Sequence, residues 1–526
     1  MPTWTGLGAD NNWSTALNWD TGVPTLAQPA IFSGNILPLH PSNKNVTITF
    51  GATCANINFT GYLGQATFTN ALTIRGSGVN LGTTVTFAGS AGITINSVVT
   101  ASFTSNGLAF NQPIIYNSNG TGGFTHTYDN WSISSFTTNF FGGTGVAIGG
   151  GSTITLTGSM SISQILSAPT TTFRLTGTGT LASSVNCSAL IRIDSGANTT
   201  TVSNLTLNNG SLTYVSGVIS AVGLLTTVAT CNLDLQNQLF SNYQQNNSTI
   251  VTLLSDANFN NTTVGLASGT SLVLNGVGQR LKVRGNFTFN QTNADLTGTA
   301  IVSLIGSGNI NFTQARSVNV DFEINTIGSY TFVSNSFFGG GNKTFTHTNG
   351  SVSAGLFTVT FGVASPTIAT YTLNITNINW YNVIFLVNNN GTNTLTLPLI
   401  VTNNLTLNGS TIFTGTAGWT CANLLCNVVA AAIVITLQNS VTYRTTTSAN
   451  LLGTNALRIT MISNDATLRA IWTLDQGASQ SLVYVNGTRI NSSLGQTVWT
   501  FLGVLTSTLN WGIGVRPVPY GYISFS

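Results

Sequence analysis

Asp321 and Glu323 stand two residues apart in Val320-Asp321-Phe322-Glu323-Ile324. In an extended strand that spacing puts both carboxylates on one face, about 7 Å apart. Acid pairs ~5–9.5 Å apart cleave glycosidic bonds, so Asp321 and Glu323 are weak candidates for a catalytic pair. The plainer reading is two solvated acids on the outer face of a strand. Arg280, Lys282 and Arg284 alternate with Leu281 and Val283, so three cations share one face. They could meet an anionic glycan, a lipopolysaccharide phosphate or an acidic neighbouring subunit. They could equally be a charged edge that discourages aggregation. His126, Tyr128, Asp129 and Trp131 form a third group, with aromatic faces suited to stacking on sugar rings. Against it stands an ordinary turn aspartate beside partly buried aromatics. Asp194, in Arg192-Ile193-Asp194-Ser195-Gly196, reads as a turn residue.

The rest of the motif inventory is spare. His40, His126 and His347 are too scattered for a metal site, and Cys421 and Cys426 have no histidine or second pair nearby. No cofactor and no metal is expected. No phosphate loop, zinc-protease helix or nucleophile elbow occurs. The glycines at 142–145 and 149–151 have no helix after them and read as tight turns. Sequons at Asn12, Asn45, Asn130, Asn204 and Asn404 arise by chance in a chain this rich in Asn and Thr. Five cysteines, an odd and sparse set, read as small buried apolar residues and not as a disulfide framework.

Composition says what must position these groups. Lys and Arg number 14 and Asp and Glu 11 in 526 residues, so charged residues make up 5% of the chain. An ordinary domain carries roughly 25%. With 42% hydrophobic residues the chain is the reverse of a disordered one. The longest apolar candidate, Leu424 to Leu437, is too short to cross a membrane as a helix and contains Asn427. A net charge of +3 with no basic block offers nothing to nucleic acid. The chain has one Glu and three Lys, and Thr, Asn, Gly, Val and Ile dominate, which favours strands and turns over helices.

The strands are short and repeat. Leu72-Thr73-Ile74, Val79-Asn80-Leu81, Val85-Thr86-Phe87 and Ile93-Thr94-Ile95 alternate apolar and polar between glycine turns. Asn204-Leu205-Thr206-Leu207-Asn208 is echoed at Asn286–Asn290 and Asn404–Asn408. Phe124–Thr127 is echoed at Phe345–Thr348, and Phe140–Gly143 at Phe337–Gly340. This pattern predicts an all-β fold, a parallel β-solenoid with right-handed winding as the commoner hand. Three strands per coil of ~20–24 residues give about 18 coils. Inward Leu, Ile, Val and Phe would stack into a continuous core, with outward Thr, Ser and Asn in ladders. Tryptophan and proline crowd the start (Trp4, Trp13, Trp19, Pro24, Pro29), and Arg458, Arg469, Arg489, Trp472, Trp499 and Trp511 mark the end. The expected organisation is an N-terminal cap or docking segment (1–45), a rod (46–440) and a C-terminal β element (441–526).

The opening Trp4-Thr5-Gly6, Asp10-Asn11-Asn12-Trp13-Ser14, Asn18-Trp19-Asp20 and Gly22-Val23-Pro24 resembles the segment that begins many bacterial β-helical adhesins and autotransporter passengers. The stretches Ile57–Tyr62, Leu81–Ser90, Leu474–Asn486, Arg489–Ser493, Gly495–Trp499 and Asn510–Trp511 are similar to β-helical virion proteins of marine tailed bacteriophages. Autotransporters need a signal peptide and a membrane barrel, and the sequence displays neither, so the virion resemblance is preferred. It implies a non-enzymatic structural protein, a fibre, spike or capsid-attached appendage, folded in the host cytoplasm and carried on the virion. Its expected partners are other virion proteins, further copies of itself as a homotrimer, and a host-surface glycan, with no nucleic acid and no membrane insertion. A tailspike polysaccharide depolymerase and a secreted bacterial adhesin are the alternatives.

Overall fold

A computed structural model of the chain describes residues 1–34, 40–96, 99–117, 125–139, 145–246, 249–265, 272–292, 294–313, 316–363, 370–375, 378–387, 391–428 and 431–514. Phe124, the Phe140–Gly143 echo and the proline-rich 515–526 therefore lie outside the described residues. The fold is an all-β parallel solenoid of about 19 turns, with separate small sheets. Among the described residues the helices are single 3-10 turns at Ala16–Asn18 and Pro41–Asn43. The chain divides into two compact units, Met1–Asn258 and Phe259–Ser526.

In the first unit, alternation of apolar and polar residues becomes alternation of inward and outward side chains. One inward column runs Trp131, Ile154, Phe173, Ile191, Leu212, Leu233, Leu253, each paired in register with the next. All seven are buried. At ~4.8 Å between rungs these side chains touch the equivalents on the coils before and after, and form one dry core with no layer boundary. Coil length is not constant. Arg174 pairs with Arg192 across an unusually short coil, and the registers shift at Ala168/Thr172 and at Ile193/Asp194.

The unit begins with an aromatic cap. Trp4, Trp13, Trp19, Phe32, Phe59 and Tyr62 are all buried, and their rings meet edge to face, tilted or stacked at 4.7–6.0 Å. Asn18, fully buried, ties the Trp-rich loop together. Its Oδ1 accepts from the Gly8 N–H at 2.8 Å, and its Nδ2 donates to the carbonyls of Asp10 and Asn12, each at 3.1 Å. A three-stranded sheet of Val46–Ile48, Gln65–Phe68 and Thr86–Gly89 follows.

The second unit repeats the plan. Leu281, Val302, Phe322, Phe345, Leu373 and Leu395 form one inward column, and Val283, Leu304, Ile324, His347 and Ile375 its neighbour. Here the coil that brings Phe345 onto Leu373 is much longer than the one between Arg174 and Arg192. Parallel stacking passes uninterrupted through residue 440, since Trp419–Asn427 pairs with Thr442–Leu452 and Ile433–Leu437 with Ile459–Ser463. The separate sheet near the end is the small pair Val498–Thr500 and Trp511–Ile513.

The recurring asparagines have a mechanical role at the corners. A parallel strand that starts at a corner presents a backbone N–H to the preceding coil, where a side-chain carbonyl can accept it. Asn45, Asn130, Asn204, Asn286 and Asn335 each do so, accepting from Gln65, Thr153, Leu224, Asn309 and Thr358 at 2.8–3.0 Å. The first Asn of the Asn204 and Asn286 repeats is thus a peg between coils, as are three of the sequon asparagines.

Replacing Asn18 by Leu strands the donors and acceptors it satisfies and should destabilise the cap by about 3 kcal/mol, at 1–3 kcal/mol per buried orphan. Denaturant titration followed by tryptophan fluorescence should show an early cap transition. The far-ultraviolet signal of the remaining coils should move much less, because solenoid stability is carried between neighbours.

Candidate functional site

The two charged groups of the second unit share one face. Arg280 pairs in register with Ile301 and Ile301 with Asp321; Lys282 pairs with Ser303 and Ser303 with Glu323. The strands Arg280–Val283 and Val318–Phe332 therefore hold their charges in the same two outward columns, two rungs apart, or roughly 9–10 Å. Arg280 spans that gap, and its Nε donates to Glu323 Oε2 at 3.0 Å. Asn325 Nδ2 reaches Glu323 Oε1 at 3.4 Å. Asp321 Oδ1 accepts the Thr344 backbone N–H at 2.8 Å, the same peg that asparagine supplies elsewhere. Arg284 follows the strand, exposed, and its backbone carbonyl accepts from the Ser307 N–H.

Beyond Asp321 the same column continues as Thr344, Thr372, Thr394 and Thr414. Beyond Glu323 the neighbouring column continues as Thr346 and Asn374. Thr394 and Thr414 share a hydrogen bond at 3.1 Å, and Thr396 Oγ1 donates to Asn374 Oδ1 at 3.1 Å. The face is a charged patch that opens onto an ordered field of hydroxyls and amides. Chemically it is a surface of closely spaced donors and acceptors. Its two carboxylates are already engaged in holding rungs together.

The aromatic group of the first unit is placed differently. His126 and Tyr128 point inward from the strand Thr125–Tyr128, and Trp131 inward from Trp131–Ile133, at 3%, 4% and 2% exposure. Tyr128 stacks on Phe103 at 4.6 Å and meets Trp131 edge to face at 5.7 Å; its hydroxyl bonds that of Tyr116. Trp131 Nε1 donates to the Phe103 carbonyl at 3.1 Å. No ring face of this group is turned outward to stack on a sugar, because residues 126 and 128 share the inward parity of their strand. Asp129, just past the strand, accepts the N–H groups of Ser105 and Asn106 at 2.8–3.0 Å. It braces a turn in which Asn106 takes a left-handed conformation, φ 54°.

His126 is a neutral core residue. Burial pushes its pKa down to about 4, and its Nδ1 has no hydrogen-bond partner among the described residues. His347, from the echoed motif, is likewise buried and inward. The five cysteines are free and buried, and burial pushes the thiols of Cys187, Cys421 and Cys426 up to about 12. Among the described residues no group of three or more His, Cys, Asp and Glu could hold a metal ion, and no helix is long and apolar enough to cross a membrane.

One charged cluster escaped sequence reading. Arg174 and Arg192 pair in register on adjacent rungs of the first unit, and Asp194 lies within the strand Cys187–Val202 at a register shift, not in a free turn. Both guanidinium groups converge on Asp194 Oδ2, at 2.6 and 3.2 Å. Ser216 Oγ donates to Oδ1 at 2.9 Å. The hydroxyl of Ser216 and the guanidinium of Arg174 hold the Asp194 carboxyl below the usual range. The signal was present in the match between Phe173-Arg174-Leu175 and Ile191-Arg192-Ile193, which becomes visible only once a coil shorter than the common repeat is allowed.

No protein-family model, curated protein or solved structure matches the chain.

His126 gives the fold an acid sensitivity of defined sign. Its folded pKa of about 4 lies below the unfolded value of 6.5, so above pH 6.5 both states are neutral and nothing changes. As pH falls from 6.5 towards 4 the unfolded chain takes a proton that the folded chain refuses. Stability should drop by up to about 3 kcal/mol over that window and level off below it. His126→Phe should flatten this part of the stability–pH curve measured by denaturant titration.

Proposed function

We propose that the chain is a non-enzymatic structural protein of a phage virion, a fibre, spike or capsid-attached appendage whose solenoid faces attach the particle to a host or another surface. The observation that carries this reading is the outward face of the second unit, where hydroxyl and amide columns run rung after rung beside a small charged patch. Such a face offers many weak, equivalent contacts, and multiple copies on one particle turn weak contacts into firm attachment. Asp321 and Glu323 argue for the non-catalytic form of the reading. Glycoside cleavage needs one acid free to give a proton and one free to attack or activate water. Here Glu323 is bound to Arg280 and Asp321 to a backbone N–H. The likeness of Leu474–Asn486 and neighbouring stretches to virion β-helices supports the compartment, and association as a homotrimer would supply the multivalency.

Immunogold electron microscopy of purified particles, with antibody raised against this chain, tests the assignment. Label at the tail tip or on the capsid is the expected result. Particles without label would sink it and favour a cellular adhesin. Release of new reducing ends from host polysaccharide should be absent, and a release that Asp321→Ala abolishes would identify a depolymerase instead.

A further inference from the structure

We propose that Arg174 and Arg192 form an oxyanion site on the outward face of the first unit, built for a sulfate or carboxylate group carried on a polysaccharide. The oxyanion site stands on the two arginines alone, whereas a polysaccharide as its carrier rests on the attachment reading.

Charge is out of balance on this face. Equivalent positions on neighbouring rungs lie ~4.8 Å apart, and like charges directly opposite one another repel. A chain with 5% charged residues avoids such pairs almost everywhere, yet here two arginines are stacked in register. The one carboxylate beside them must serve both. Arg174 spends Nε and Nη2 on Asp194 Oδ2, at 3.0 and 2.6 Å, and Arg192 adds a single Nη2 contact at 3.2 Å to the same oxygen. Oδ1 is taken by Ser216. Two positive charges thus share one negative charge, and Arg192 keeps its Nε and Nη1 donors without a partner among the described residues. The next carboxylate in the column is Asp234, two rungs past Arg192 beyond Thr213, and it accepts from Gln236 Nε2 at 2.7 Å.

The geometry around the pair suits a ligand. The arginine side chains are 44% and 45% exposed while Asp194 is 16% exposed, so the cations stand proud of the acid that steadies them. Thr155 pairs in register with Arg174, and Thr213 with Arg192, so hydroxyls bracket the guanidinium groups along the column. Planar guanidinium groups present parallel N–H donors that match the oxygens of sulfate and carboxylate. Asp194 fixes Arg174 and leaves Arg192 to close on the anion.

The test compares thermal unfolding in sodium sulfate and in sodium chloride at matched ionic strength, so that plain screening cancels. Sulfate should raise the melting temperature of the wild-type chain above its chloride value, and Arg192→Gln should lose most of that increment. Arg444→Gln, which breaks the ion pair with Asp475 on the other unit, should keep it. An increment that survives in the Arg174→Gln/Arg192→Gln double variant overturns the site. Arg192→Gln in low-salt chloride supplies a second readout. Removing one of two stacked cations should leave the melting temperature equal or higher, and a clear fall would make Arg192 a structural partner of Asp194 and overturn the proposal. The carrier is tested by calorimetric titration with a sulfated galactan oligosaccharide and its desulfated form. Binding of the sulfated form, weakened at least tenfold in the double variant, supports it. Equal binding of both forms, or binding of inorganic sulfate with neither oligosaccharide, removes the polysaccharide as carrier. Both results leave the particle location measured by immunogold untouched.

Discussion

The constraint on which this molecule depends is that every residue of a coil lies about one strand spacing from its counterpart in the next. Stacking in register makes neighbours of equivalent positions, so whatever occupies a position must tolerate the residue stacked beside it. Leucine, isoleucine and phenylalanine meet that condition by packing, and Trp131 through Leu253 form an unbroken inward column. Threonine and asparagine meet it because each can either donate or accept, as in the hydroxyl–hydroxyl bond between Thr394 and Thr414. Lysine and glutamate stacked on themselves do not. The near absence of charge is therefore a consequence of the architecture, and needs no membrane or unusual solvent to explain it.

The same constraint explains where polar groups are buried. Coils turn corners, and each corner frees backbone groups that a flat sheet would pair. Asparagine at the start of a strand returns one acceptor per coil, and Asp321 and Asp295 do the same with a carboxylate. Where the stack of coils opens, aromatic rings and the buried amide of Asn18 close the core instead. Tryptophan fits that task because it covers a large area with one side chain and still offers an N–H.

How much of this was legible in the sequence follows from the range of each interaction. Strand alternation and glycine turns are local, so all-β character, short strands and the approximate size of a coil could be read directly. Parity along a strand is local too, so His126 and Tyr128 share one side of theirs, and the structure shows that side to be inward. The pairing of distant residues was not legible, because coil length varies from the short connection between Arg174 and Arg192 to the long one between Phe345 and Leu373. Each register shift moves every later contact. Arg280 and Glu323 were both conspicuous alone, and their ion pair across two rungs depends on the length of the coil between them.

Scarcity of charge changes how the remaining charges should be weighed. On an ordinary surface an exposed ion pair contributes about 0–1 kcal/mol and carries little information. On this one, Arg444 is matched by Asp475 through two parallel bonds at 2.9 and 2.7 Å, and Arg280 by Glu323. Against those balanced pairs the two arginines that share Asp194 stand out as an excess that packing does not require. The interior of a solenoid is filled by side chains stacked on side chains, so on the attachment reading proposed above recognition would be written on its outward columns, one residue per rung. Neutral rungs would then supply area and register, and the few unbalanced charges selectivity.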